Sequence, residues 1–410
     1  MFWKRKQDEP AQQRAANTQP QRFGAPTGIG KFTTVIVPRS AVLRASDPEK
    51  AYDLVQAVIN FINTMMGEGI YSRDEIPAKA MQAYHADFYL AQVKNGGHSQ
   101  FIHNCHGNLK YILADVRAGL TGMKAEKHLS IFERMAAWIG QHPDEASKQT
   151  GFTGGREPLL DELDSKFYGA DKITPMIGMS ALWIVAWPEL RPVDDADYRE
   201  AMRKSVMMNP LREPRLMWRS VDSLLAQMTQ WFHVGVGLAC ANANPQELKL
   251  EIRGGWIMEI EGSNETVWFV VTNANQPRYC VVTEKHAAAY EAVNVKTAGK
   301  KLSYVRSETI RGVIELAMEY DAPVIIDLLL RQAGIETKGA MVSPMAITPR
   351  ADGPLLHCLV AAGGQSFIAV SASGRGMLLR ASDNQQLAIV RKPDIQEHAA
   401  RAEAGAVKPA

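Results

Sequence analysis

The spacing of apolar residues divides this chain into two regions of different secondary structure. Between residues 45 and 170 apolar side chains recur at helical spacing, and no segment alternates like a strand. The clearest helical series is Ala51, Leu54, Val55, Val58, Ile62 and Met65. Strand-like runs bounded by Gly, Ser and Asn turns begin only at Trp256. We therefore predict an α+β protein, with an N-terminal all-helical domain followed by a mixed helix and antiparallel-strand region.

The predicted domain boundaries follow from composition as well as from periodicity. Residues 1–40 hold seven basic and two acidic side chains without sustained periodicity. Such a segment buries too little apolar surface to offset its ordering entropy, so we predict a flexible basic tail. A helical domain then spans 45–170, an α+β region spans 171–395, and a frayed tail occupies 396–410.

The α+β region contains two similar groups of strands. The run 268–272, a turn and 279–282 resembles the run 367–371, a turn and 377–379, and each group follows a helical stretch. One interpretation is that the region consists of two related units, 171–300 and 301–395. The alternative is that antiparallel hairpins share this pattern whatever their origin.

Charge and cysteine content exclude several classes of protein. The 46 basic and 44 acidic side chains leave a net charge of +2, which excludes a globally basic nucleic-acid binder and a globally acidic, DNA-like surface. The four cysteines are scattered without a CxxC pair, and the basic start at Lys4 is not followed by the apolar run of a signal peptide. We therefore expect a reduced, cytoplasmic protein without a membrane partner.

The most informative segment runs from residue 84 to residue 108. Gln92 and Asn95 fall on a helical face that is otherwise apolar, and a buried amide needs hydrogen-bond partners. The glycine pair that follows permits backbone geometry that can end one helix and begin the next. Two interpretations stay open: an amide network that fixes a corner between helices, or a polar pocket that recognises a ligand or a partner backbone. The candidate binding residues are Gln92, Asn95, Gly96, Gly97, His98, Gln100, His103 and Asn104.

Catalytic and metal chemistry have weaker support in the same segment. His98, His103, Cys105 and His106 lack the carboxylate or CxxC pair that would complete a metal site. Neighbours along a helix point in different directions, so adjacency to histidine does not make Cys105 a nucleophile. We predict no catalytic residues, no metal and no cofactor.

Two further motifs are interpreted as non-functional. Residues 24–33 superficially suggest a phosphate-binding loop, but they lack its glycine spacing and the strand that precedes it. The acidic run from Asp161 to Asp164 is typical of a solvated helix face rather than of paired catalytic carboxylates.

The segment 92–104 resembles the signature of the bacterial DNA-mimic-protein family, Gln-Val-x-Asn-Gly-Gly-aromatic-x-Gln-aromatic-aromatic-x-Asn. The residues that carry the resemblance are Gln92-Val93-Lys94-Asn95-Gly96-Gly97-His98-Ser99-Gln100-Phe101 and Asn104. His98 and Ile102 stand where the family has aromatic side chains. The later segment 160–168 is similar to the end of the same domain. The resemblance covers about 45–170 and implies the helical fold of that family.

The resemblance does not imply the family's DNA mimicry for this chain. Mimicry in that family rests on surface carboxylates, whereas residues 41–170 hold sixteen acidic and thirteen basic side chains, a balance of −3. That balance is too small for phosphate-like charge density. We therefore expect the fold without the mimicry.

The sequence favours a non-enzymatic binding or regulatory protein that acts through protein–protein contacts, with a homodimer as one expected form. The alternative is an enzyme of unknown reaction with a polar cleft between domains near Asn95-Gly96-Gly97. A weaker alternative is nucleic-acid binding through the basic tail, although the near-neutral charge makes nucleic acid an unexpected partner.

Overall fold

The computed structural model describes residues 32–105, 107–150, 157–244, 249–272, 277–294 and 297–406. The described residues form two compact units, 32–212 and 213–406. The first unit is helical apart from one short strand pair, and the second combines helices with two antiparallel sheets. The predicted α+β class is confirmed. No helix in the described ranges is both long and apolar enough to cross a membrane.

The first unit consists of helices, a 3₁₀ turn at Arg73–Glu75 and one strand near each end. Strand β1 pairs with β2 in parallel, with Val35 opposite Leu190. The elements are β1 (Val35–Pro38), α1 (Arg39–Leu43), α2 (Ala51–Gly67), α3 (Ala78–Asn104), α4 (Leu109–Gly122), α5 (Glu126–Gln141), α6 (Pro143–Ser147), α7 (Pro158–Ile173), α8 (Met176–Val185), β2 (Leu190–Val193) and α9 (Tyr198–Met207).

Two apolar clusters stabilise the first unit. One gathers β1, α2, α8 and α9 around Phe61, which is fully buried. The other joins α3, α4, α5 and α7 around Tyr89, Phe101 and Phe132, all fully buried. Burying a side chain of this size contributes about 1.5–3 kcal/mol. The second cluster surrounds the segment that the sequence marks as a candidate site.

The first unit extends beyond the predicted helical domain at both ends. Val35 and Val37 are fully buried in β1, so the predicted basic tail does not continue to residue 40; residues 1–31 lie outside the described residues. Ile184 and Trp187 pack in the same cluster as β1, beyond the predicted boundary at 170. Local periodicity carries no signal of this pairing because the two strands lie far apart in sequence.

The second unit contains two sheets with the same strand order. Each sheet is a five-stranded antiparallel meander whose strands neighbour one another in chain order. The elements are α10 (Arg212–Thr229), α11 (Trp231–Ala243), β3 (Lys249–Ile260), β4 (Ser263–Thr272), β5 (Pro277–Val282), β6 (His286–Asn294), β7 (Thr297–Arg306), α12 (Ser307–Glu319), α13 (Ala322–Gln332), β8 (Met341–Thr348), β9 (Leu355–Ala362), β10 (Gln365–Ala372), β11 (Arg375–Arg380), β12 (Gln386–Arg391) and α14 (Lys392–Ala404).

Helix α11 lies between the two sheets. It packs against β5, β6 and β7 of the first sheet and against β8 of the second. A Cβ atom on Gly235 would come within 3.0 Å of Val282, and one on Gly237 within 3.3 Å of the Ser343 hydroxyl. The two glycines therefore face opposite sheets, and their lack of side chains lets both sheets approach the helix closely.

The two halves of the second unit share one arrangement. Each meander follows two helices, and the second of these packs on the last three strands of its own sheet. Helix α14 follows β12 and contacts α13, as α12 follows β7 and contacts α11. The junction falls between Arg306 and Ser307, slightly beyond the predicted 300/301 boundary. Duplication of a helix–helix–meander unit stays a proposal, which this shared order supports.

A folded C-terminal helix replaces most of the frayed tail predicted for 396–410. Three side chains of α14 are buried on one face, and residues 407–410 lie outside the described residues. His398 Nε2 lies 2.7 Å from Asp327 Oδ2 on α13, and Arg331 Nε donates to the same oxygen at 2.8 Å. The Asp327 side chain is completely buried. A carboxylate in this environment needs partners, so the pair fixes α14 on α13.

Replacing His398 with alanine should lower the free energy of unfolding by about 3 kcal/mol, because the buried Asp327 carboxylate loses one of its partners. Urea denaturation followed by circular dichroism measures the change. Glu397→Ala, at an exposed position on the same helix, is the control and should stay within about 0.5 kcal/mol of the parent chain. Equal effects of the two substitutions would contradict the structural role of His398.

Candidate functional site

Helix α3 is kinked at Gly96-Gly97, as the glycine pair predicts. Gly97 has φ 78° and ψ −175°, a conformation that favours glycine, and the helix restarts at His98. Space for a side chain is also absent. A Cβ atom would overlap the Gln100 side chain at Gly96 and the Asp164 carboxylate at Gly97. The positive φ and the Asp164 carboxylate together require glycine at residue 97, whereas a side chain at residue 96 would displace Gln100. We call this kink, with the residues that contact it, the corner.

Asp164 on α7 holds the restarted half of α3. Its Oδ1 accepts the backbone N–H of His98 at 2.8 Å and lies 2.5 Å from the imidazole Nδ1. Because an ionised carboxylate only accepts, we assign the ring proton to Nδ1, which leaves Nε2 of a neutral ring as an acceptor. The Tyr89 hydroxyl, 2.8 Å from Nε2, is its donor. All three side chains are buried.

Tyr89 connects this hydrogen-bonded chain to the aromatic core. Its ring packs edge-to-face on Phe101, Phe132 and Phe167, with centroids 5.0, 5.3 and 5.5 Å away. Such pairs contribute about 0.5–1.5 kcal/mol beyond the area that they bury. Burial, reinforced by the Asp164 carboxylate, raises the pKa of Tyr89 well above its usual value. The hydroxyl therefore stays protonated and remains a hydrogen-bond donor.

A network of side-chain amides joins the two halves of α3. Gln92 Oε1 accepts from Gln100 Nε2 at 2.7 Å and from Asn104 Nδ2 at 2.5 Å. Asn95 Nδ2 donates to Gln100 Oε1 at 3.2 Å. Gln100 is buried, Gln92 is half-buried, and the two asparagines are exposed. The network thus runs from the interior of the unit to its surface.

Two further bonds attach the second half of α3 to the segment after α6. Ser99 Oγ donates to Gln149 Oε1 at 2.8 Å. His103 Nδ1 lies 2.9 Å from the Gln149 carbonyl oxygen and is the donor there, because a carbonyl only accepts. Ser99 is buried, whereas His103 lies at the surface. The restarted helix is therefore held from both sides.

The structure brings all eight predicted residues to one corner but places them in different environments. The buried members are Gly96, Gly97, His98 and Gln100. Gln92 is half-buried, and the exposed members are Asn95, His103 and Asn104. The corner-fixing interpretation accounts for the buried members, and recognition of a ligand or partner is open only to the exposed ones.

The acidic run on α7 is not the fully solvated face that the sequence suggests. Glu162 is exposed, whereas Asp164 is buried against the corner. Asp171, seven residues later on the same helical face, lies 2.7 Å from Lys94 Nζ and accepts the backbone N–H of Met176 at 2.8 Å. Burial raises the pKa of Asp171, but its hydrogen bonds outweigh burial and hold that pKa well below its usual value. The seven-residue spacing places both carboxylates on one helical face, but their acidic neighbours hide from the sequence that this face is buried.

The alternatives of a cysteine nucleophile and of a metal site concern the end of α3. Burial raises the pKa of the Cys105 thiol, which opposes formation of a nucleophilic thiolate. His106 lies outside the described residues. Within the described ranges, no group of three or more His, Cys, Asp or Glu side chains is placed to hold a metal ion.

The residues that form the corner lie within a segment that matches a known protein family. Residues 74–187 match the family model described as DMP19-like protein. The match covers less than a third of the 410 residues and contains the whole of α3 and α7. It begins and ends later than the resemblance drawn from the sequence, and it leaves out α2. The first unit thus contains a DMP19-like domain, in agreement with the DNA-mimic resemblance at the level of family. No curated protein and no solved structure matches the chain.

Several carboxylates of this domain are paired with cations. Glu133 accepts from Arg117 at 2.5 and 2.9 Å. Glu162 lies 3.1 Å from Arg134 and 2.6 Å from Lys166. A surface that mimics DNA must present phosphate-like negative charge to its partner. These pairs leave fewer carboxylates unpaired at the surface, and the balance of −3 already includes both members of each pair.

Substituting Gly97 with alanine should destabilise the protein by about 3 kcal/mol, because the added methyl group is strained at this φ and displaces the Asp164 carboxylate. Differential scanning calorimetry and chemical denaturation measure the loss. Gly140→Ala is a matched control, since Gly140 is an exposed residue of α5 and no neighbouring atom lies within 4 Å of the place its methyl group would take. This control should be neutral or stabilising. Similar losses in both variants would contradict the role of the corner.

Asp87 on α3 is a titratable group that the sequence patterns do not mark. It is half-buried, and burial raises its pKa to about 6. Its charge adds to burial in raising the pKa of Tyr52 and of Tyr84. The folded protein therefore favours the protonated carboxyl at a pH where an unfolded chain has already ionised it.

Stability should consequently fall as the pH rises from about 4 to about 6, because the unfolded chain releases the Asp87 proton first. Asp87→Asn removes this titration, so the variant should gain stability over the parent chain across that window and keep the gain above pH 6. Thermal unfolding at a series of pH values tests this. Asp197→Asn, at an exposed position, is the control and should show no such window. A pH-independent difference for Asp87→Asn would refute the assignment.

Proposed function

We propose that this chain is a non-enzymatic binding protein whose DMP19-like domain contacts a protein partner. The observation that carries the proposal is the match of residues 74–187 to the DMP19-like family, together with the use of its buried polar residues as structural supports. The cytoplasmic location that we propose rests on the four cysteines, all of them buried free thiols.

The buried hydrogen bonds among Asp164, His98 and Tyr89 support a binding role rather than a catalytic one. Asp164, His98 and Tyr89 form a carboxylate–imidazole–hydroxyl series of the kind that activates nucleophiles. The Tyr89 ring and its hydroxyl are fully enclosed by aromatic side chains, so a substrate has no access to them. The series instead fixes the direction of the restarted helix. This arrangement speaks against the enzyme alternative at this corner.

The charge distribution supports a partner recognised by shape and hydrogen bonding rather than by phosphate-like charge. The carboxylates with the strongest contacts are directed inward, as Asp164 and Asp171 are, or bridged to arginine and lysine, as Glu133 and Glu162 are. Electrostatic attraction of a DNA-binding protein needs a continuous anionic surface. We therefore propose binding without DNA mimicry.

The exposed edge of the corner is our proposed contact surface. Asn95, His103 and Asn104 lie at the surface, and half-buried Gln92 joins the two asparagines through the amide network. Side-chain amides offer both donors and acceptors and can pair with the peptide groups of a partner. Their positions are fixed by the buried network, so little conformational entropy is lost on binding.

Affinity purification with the full chain as bait tests the proposal. The double variant Asn95→Ala and Asn104→Ala should recover at least about tenfold less partner from a lysate of the source cell, as expected when about 1.4 kcal/mol is lost. Gln141→Ala removes an exposed amide elsewhere in the domain and should recover partner normally. Unfolding midpoints of all variants show whether each remains folded.

Two outcomes would contradict the proposal. One is the absence of any protein enriched over a bait-free control, and the other is equal recovery by the double variant and the parent chain. Mass spectrometry of the eluate also reports whether untagged copies of this chain are captured, which tests the homodimer directly.

A further inference from the structure

The second sheet has one edge at which backbone hydrogen-bonding groups are unpaired. Among the described strands, β12 lies at the end of this sheet and pairs with β11 alone. The N–H of Arg391 donates to Asp394 of α14 at 3.0 Å, so it points away from β11. Because alternate residues of an antiparallel strand direct their backbone groups to the same side, Ile389 also points its N–H and C=O away from β11. Within the described part of the chain, no hydrogen bond involves these two groups of Ile389.

The other edge strands carry features that discourage pairing with another chain, whereas β12 does not. Charged side chains and prolines on an edge strand are the usual protection. β3 contains four charged residues, β7 contains two adjacent lysines, and β1 and β2 contain one proline each. β8 contains Pro344, and its edge is capped by Gln227, whose side-chain oxygen accepts the Val342 N–H at 2.9 Å. From Leu387 to Val390, β12 has neither a charge nor a proline.

The side chains of β12 are apolar on both faces of the sheet. Ala388 and Val390 are buried on the face that packs against α13. Ile389 lies on the opposite face, directly across from Met377 of β11, and is 48% exposed. An exposed isoleucine alone is common on protein surfaces. Here the same residue also carries the unpaired backbone groups, so a strand added at this edge would both satisfy those groups and cover the side chain.

We propose that β12 pairs with β12 of a second copy of this chain, antiparallel and about a twofold axis at Ile389. The two five-stranded meanders then form one continuous sheet. At the axis the N–H of each Ile389 donates to the C=O of the other, which satisfies the unpaired groups of both copies. The inference goes beyond the partner contact proposed for the first unit and does not rest on it.

The strand is complementary to itself, which is the reason for a second copy as the occupant. The twofold axis sets Ala388 of each copy opposite Val390 of the other, so a small side chain faces a larger one twice. Arg391 falls beside Leu387 of the other copy, and the two copies of Arg391 stand about 13 Å apart along the ladder. That distance exceeds the ~8 Å screening length at physiological ionic strength, so like charges do not oppose the pairing. A single strand pair is a small interface, and we therefore expect a reversible dimer.

Analytical ultracentrifugation of the full chain tests the proposal. The parent chain should show a concentration-dependent dimer, and Ile389→Pro should raise its dissociation constant at least about tenfold. Proline removes the N–H that faces the open edge but none of the hydrogen bonds to β11, and an edge strand tolerates proline at such a position. Unfolding midpoints show whether the variant remains folded.

A charge at the axis gives a second variant with a matched control. In Ile389→Lys the two introduced ammonium groups meet across the twofold axis, so the dissociation constant should again rise at least about tenfold. Ile257→Lys makes the same substitution on β3, where the isoleucine is 66% exposed, and should leave dimerisation unchanged. Hydrogen–deuterium exchange supplies the local measurement, since the Ile389 amide should be protected in concentrated protein and exchange faster after dilution.

Three results would overturn the proposal: a parent chain that stays monomeric up to about 1 mM, a dimer that both Ile389 variants retain, or exchange at the Ile389 amide that does not depend on concentration. Protection of that amide by an added extended peptide, in a chain that does not dimerise, would assign the edge to another protein and would also overturn it. Failure of the proposed function is measured separately, by partner capture at Asn95 and Asn104 in the first unit.

Discussion

The carboxylate of Asp164 is the contact on which the helical unit depends. It receives the backbone N–H and the imidazole of His98 at the point where α3 changes direction, and it approaches so closely that residue 97 has no room for a side chain. The first amides of a restarted helix lack intrahelical acceptors, and a carboxylate supplied from another helix satisfies one of them. Through Tyr89 the same contact is continuous with the aromatic core that α4, α5 and α7 share.

This constraint explains why the signature is made of amides, glycines and aromatic residues. Gly96 and Gly97 leave room for the side chains of Gln100 and Asp164. The hydrogen bond between Gln92 and Gln100 joins the two halves of the interrupted helix, and the surrounding aromatic rings exclude water. A fully satisfied buried polar network specifies one geometry, whereas a partly satisfied one would destabilise the core. The corner therefore stabilises the fold, and it also holds the exposed side chains of Asn95, His103 and Asn104 in fixed positions at the surface.

Sequence patterns predict that the first unit is mainly helical and that α3 is interrupted at its glycine pair, because apolar spacing and paired glycines are local signals. They do not predict that Asp164 is interior, since its acidic neighbours make the run look solvated. They also miss β6, whose Ala-rich sequence has low strand propensity and is extended because it pairs with β5 and β7. Asp87 is missed for a related reason: its pKa depends on its burial in the folded unit, which no local pattern contains.

The position of α11 has a consequence for how the second unit unfolds. A helix whose two faces are covered by different sheets cannot release one sheet without exposing an apolar face of its own. The halves are therefore not separable modules, even if they arose from one ancestral segment. Loss of either meander would remove support from the other, so the region from α10 to α14 is built to unfold in a single cooperative transition.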